Sequence, residues 1–70
     1  MRAEELPTFE QIRAAAYGVL GDAQDWLRSD WAPGTGPTTK AAAAMHRAVR
    51  HIAAAKTALN DAAHANRDQR

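Results

Sequence analysis

Residues 31–38 read Trp31-Ala32-Pro33-Gly34-Thr35-Gly36-Pro37-Thr38, and they decide the fold. Proline at both ends of a five-residue run with two glycines cannot continue a helix, and Pro33 pushes Ala32 out of the helical region. The sequence on either side is helical in pattern, so residues 32–38 are expected to form a turn between two helices. So short a link joins antiparallel neighbours. The expected fold is all-α: one domain, an antiparallel two-helix hairpin.

Upstream of the turn, Thr8 is a good N-cap, and Gln11 three residues later completes a capping box. The first helix is expected over about residues 8–31. Its apolar positions Phe9, Ile12, Ala16, Val19, Ala23 and Trp26 alternate three and four apart, the spacing of a helical seam. Leu20 and Leu27 widen this stripe, and Tyr17 and Trp31 add to it. Gly18 and Gly21 each weaken the helix by about 1 kcal/mol relative to alanine. They mark a kink, a break near Gly21-Asp22, or a close approach of another backbone, and close approach is the preferred reading.

Downstream, Thr38 or Thr39 can cap a second helix expected over about residues 39–65, followed by a polar tail at 66–70. Met45, Ile52 and Leu59 stand seven apart, with Ala42, Val49, Lys56 and Ala63 as the companion seam. Ala41, Ala48, Ala55 and Ala62 repeat at the same interval, a column that lets helices lie close. A turn centred near residue 34 sets Trp26 against Ala41–Ala44, with Gly18 and Gly21 opposite His51 and Ala48. Lys56 interrupts the apolar seam. It is expected to snorkel to the edge, or else to fix register as a buried polar residue does in coiled coils.

Length and charge constrain what such a chain can do. A core of 70 residues supplies about 3–5 kcal/mol, and without cysteine there is no disulfide or thiolate metal site to add to it. The apolar surface exceeds what one hairpin covers, so the residues expected to form an assembly interface are Phe9, Ile12, Val19, Trp26, Met45, Val49, Ile52 and Leu59. A homodimer closing an antiparallel four-helix bundle is the simplest solution, with a different protein partner as the alternative. From Met1 to Trp31 three arginines face six acids, a net of −3. From Thr38 to Arg70 six bases face two acids, a net of +4. The halves attract each other, within one chain or between copies.

Chemistry is sparse. His46 and His51 are five apart and diverge on a helix, so no metal is expected. Asp22 and Asp25 share a face but have no cleft to raise a carboxyl pKa. Gly34 to Lys40 lacks the Gly-Lys-Ser/Thr ending of a phosphate-binding loop. No enzyme activity and no cofactor are expected. The competing function is nucleic-acid binding through the basic side of the second helix, Lys40, Arg47, Arg50 and His51. Trp31, beside the turn, is a further candidate partner contact. The longest nearly apolar run is Ala41–Met45, against about 20 residues for a membrane span, and no signal peptide is visible. A cytoplasmic protein is expected, and the richness in alanine and arginine hints at a bacterial or phage source. The expected role is a small interaction or assembly module: an adaptor, an accessory subunit, or a regulator of a larger protein.

Overall fold

The computed structural model describes residues 5–68 and contains two helices, α1 (Phe9–Arg28) and α2 (Thr39–Asp68), with no strand among the described residues. The expectations for residues 1–4 and for the last two residues of the tail lie outside the described residues. The helices pack as an antiparallel hairpin: Glu10 shares a groove with Ala63 and Arg67, whereas Leu27 shares one with Met45 and Val49.

α1 begins as its sequence dictates. The Thr8 hydroxyl accepts from the Gln11 amide at 3.1 Å, and the Gln11 side chain accepts from the Thr8 amide at 2.8 Å, satisfying two of the helix's orphan donors. In the first turn Arg13 donates to both carboxylate oxygens of Glu10, with Nε at 2.9 Å from Oε2. This hydrogen bonding holds the Glu10 carboxyl below its usual 4.5. Its support of the helix is therefore present above the ordinary glutamate pKa and is lost as pH falls through the lowered one.

α1 ends three residues earlier than its periodicity suggests. Ser29 directs both its amide and its hydroxyl at the Trp26 carbonyl, at 3.2 and 2.7 Å, replacing the next helical hydrogen bond with a local one. Pro33 and Gly34 then form a turn in which the Thr35 amide donates to Ala32 at 3.0 Å and Gly34 takes φ +81°. This is the type II pattern, which needs glycine at its third position. Thr38, not Thr39, caps α2: its hydroxyl accepts from the Ala41 amide at 3.1 Å. At the other end α2 takes in Asn66, Arg67 and Asp68 from the expected tail. Nothing there breaks a helix, and Arg67 favours the carbonyl end, donating to Ala63.

Gly18 and Gly21 do not break α1, which runs unbroken from Phe9 to Arg28, and no other backbone lies against them. A Cβ built on either would meet nothing within 4 Å, which overturns the close-approach reading. Gly18→Ala should therefore stabilise the protein by about 1 kcal/mol. That corresponds to a thermal midpoint about 4–8 °C higher, measured by circular dichroism; a fall would mean that the position is covered in solution.

The hairpin is a slab of 51 × 28 × 15 Å with a radius of gyration of 16.7 Å, against about 11 Å for a compact chain of this length. Fifteen ångströms is a single layer of helices, whereas independent domains are built from two or three. Only Gln24 and Ala63 are buried among the described residues, and no large side chain is fully buried.

Candidate protein interface

α1 carries two apolar stripes, and the structure turns one of them inward. Tyr17, Leu20 and Leu27 are half-buried and Gln24 is buried against α2. α2 answers with Met45, Val49, Ile52 and Leu59, all half-buried, so the inner seam of α2 is the one its heptads predict. For α1 the seam differs. Phe9, Ile12, Val19 and Trp26 remain 49, 55, 66 and 79 % exposed, as does Leu6 ahead of the helix at 56 %. Trp26 does not anchor against Ala41–Ala44; it stands in solvent beside Asp22 and Asp25.

A polar contact crosses between the helices at the stripe that turns inward. Lys56 Nζ donates to Gln24 Oε1 at 3.0 Å and lies 4.7 Å from the centroid of the Tyr17 ring. Lys56 is half-buried, with its ammonium bonded to α1 at the margin of the seam. Gln24 escapes notice in the sequence because it is polar. The signal that finds it is the spacing Tyr17, Leu20, Gln24, Leu27, the same three-four alternation displaced around the helix.

Lys56→Ala should destabilise the hairpin by about 1–3 kcal/mol, through loss of a charge-assisted hydrogen bond and a cation–π contact. In a thermodynamic cycle with Gln24→Ala the two losses should be clearly non-additive. Additive losses would mean that the two side chains act independently.

No family model, curated protein or solved structure matches the chain. Its surfaces are therefore assigned from geometry alone.

Beside the exposed stripe, the remaining candidates separate by edge. Lys40, Arg47, Arg50 and His51 are all exposed on α2, and Arg47, Arg50, His51 and Ala54 line a shallow groove on its outer side. Asp22 and Asp25 occupy the outer side of α1. Trp31 is half-exposed and packs its indole over Gly36, where a Cβ would strike the ring. It also lines a groove with Leu27, Pro37 and Val49 at the turn end. Among the described residues no three histidine, cysteine, aspartate or glutamate side chains gather to hold a metal ion, and no described helix is long and apolar enough to cross a membrane.

Proposed function

We propose that the chain is an assembly module that works through protein–protein contact, as half of a homodimeric four-helix bundle. The observation that carries this reading is the uncovered stripe Phe9, Ile12, Val19 and Trp26 on a hairpin one helix thick. Exposed apolar strips of this continuity mark interaction sites, and tryptophan is the residue most enriched where binding energy concentrates. The surface area points the same way. A compact chain of this mass exposes about 4,300 Å², whereas this one exposes 5845 Å². The excess exceeds the roughly 800 Å² that each partner contributes to a standard interface.

Once the stripes are covered, the turn end with Trp31 and the outer faces of both helices are what the module presents to a further protein, as an adaptor, accessory subunit or regulator. Light scattering of the full chain over a concentration series tests the first step. A mass of two chains is expected; a single-chain mass at every concentration would overturn self-assembly.

The groove of Arg47, Arg50 and His51 supports a second reading, contact with the phosphate backbone of a nucleic acid. Such binding would weaken steeply with rising salt and would disappear in Arg47→Glu/Arg50→Glu without loss of helicity. The near-neutral chain, at +1 overall, favours it less than the protein interface.

A further inference from the structure

The assembly reading leaves open how two copies meet, and the arrangement of one broad face of the hairpin answers this. The inference rests on that reading and adds an axis and a register to it. Side chains step about 100° per residue around a right-handed helix. Lys56, which touches both Gln24 and Tyr17, therefore leans with them toward one broad face of the slab. The same rotation carries Ile12, Val19 and Trp26 of α1 onto the opposite broad face, beside Ala48, Ala55 and Ala62 of α2. The acidic edge of that face holds Asp22, and its basic edge holds His51, Lys40 and Arg47.

The heights along the slab match as well. Glu10 stands beside Ala63 and Asn66, and Leu27 beside Met45 and Val49. Interpolating at equal rise per residue, Ile12 is level with Ala62, Val19 with Ala55 and Trp26 with Ala48. Three bulky residues seven apart thus run alongside three alanines seven apart, rung for rung.

Two such faces can close on a two-fold axis in either of two directions. An axis across the helices lays α1 on α1 and α2 on α2: bulk meets bulk, alanine meets alanine, and each charged edge meets its own sign. An axis along the helices lays α1 of each copy on α2 of the other, antiparallel, without changing any residue's height. Bulk then meets alanine, and the acidic edge meets the basic one. We infer that a second copy of this chain docks about the axis along the helices, seating Ile12, Val19 and Trp26 of each copy on Ala62, Ala55 and Ala48 of the other. Asp22 of each copy then lies beside His51 and Arg47 of the second. Alanine beneath the stripe lets the helix axes come within the lower part of the usual 8–10 Å. Because the basic edge is engaged by acids, less of it is left for an anionic backbone.

The chain has no cysteine, so single cysteines report the geometry directly. Full-length Val19→Cys and Ala55→Cys proteins, one of them ¹⁵N-labelled, are mixed, oxidised with copper phenanthroline and weighed intact. The mixed Val19–Ala55 disulfide should exceed either self-linked product by about fivefold or more, since only facing pairs come within the 4.4–6.8 Å Cα separation that a disulfide requires. Predominance of the Val19–Val19 product would overturn the axis along the helices while leaving self-assembly standing, as would the absence of any linkage from a protein that scatters as a dimer. A wild-type chain that scatters as a monomer removes both, and the mass series separates that case from the others.

Discussion

Replacing Ile52 with aspartate should abolish both the helical signal and the assembly. Ile52 sits half-buried in the middle of the α2 seam that faces α1. The substitution removes an aliphatic side chain from that seam, at about 2–5 kcal/mol for truncation alone. It also places a carboxylate there with no cation assigned to it; Lys56, one turn away, is already engaged by Gln24 and Tyr17. The core of so small a domain supplies only about 3–5 kcal/mol, so either loss consumes most of the margin and the two together exceed it. Ile52→Val is the control, expected to cost about 0.5–1.5 kcal/mol and to remain folded. Far-UV circular dichroism with light scattering reads the result. Unchanged helicity and mass in the aspartate variant would mean that this face of α2 is not the seam.

The second large effect separates assembly from folding. Val19 is 66 % exposed on the hairpin, and glutamate is a good helix former, so Val19→Glu should leave α1 intact within a single chain. At a covered interface the same carboxylate is desolvated against an apolar surface. A cost of about 2 kcal/mol per site, incurred twice in a two-fold dimer, amounts to roughly a thousandfold loss of dimer affinity. The expected outcome is a single-chain mass at concentrations where the wild type scatters as two, with helicity largely retained and a lower thermal midpoint. Ala14→Glu, on the polar side of α1, should change neither. If Val19→Glu keeps the wild-type mass, the exposed stripe is not where copies meet.

The hairpin was legible in the sequence because its determinants are local. Thr8 and Gln11 make a capping box whatever lies elsewhere, Pro33 and Gly34 dictate a turn, and the heptads of α2 leave one choice of inner face. The choice of inner face on α1 was not legible from periodicity. Phe9–Trp26 and Tyr17–Leu27 have the same spacing, and the more hydrophobic stripe is the one left outside. The stripe that faces α2 carries a long-range contact, Lys56 to Gln24, which neither residue announces alone. The helix ends shifted for similarly small reasons: Ser29 competes for the Trp26 carbonyl, while α2 runs on to Asp68 because no residue stops it. The register moved because Trp26 lies level with Ala48 rather than with Ala41–Ala44, so the start of α2 overhangs the end of α1.

The column Ala48, Ala55, Ala62 presents the same side chain every seven residues, and such a surface cannot tell one heptad from the next. Within the hairpin the turn and the Lys56–Gln24 contact forbid slippage, but no covalent link restrains a second copy. A copy shifted by one heptad, about 10.5 Å along the helix, still sets two bulky residues on two alanines. That shift leaves one bulky residue and one alanine of each copy unfilled, and a further chain of the same 51 Å length cannot enter beside the first on the same face. The feature that makes the dimer easy to form thus also sets its failure mode, a staggered pair out of register by one heptad. The third matched rung is what favours the in-register pair over the staggered one.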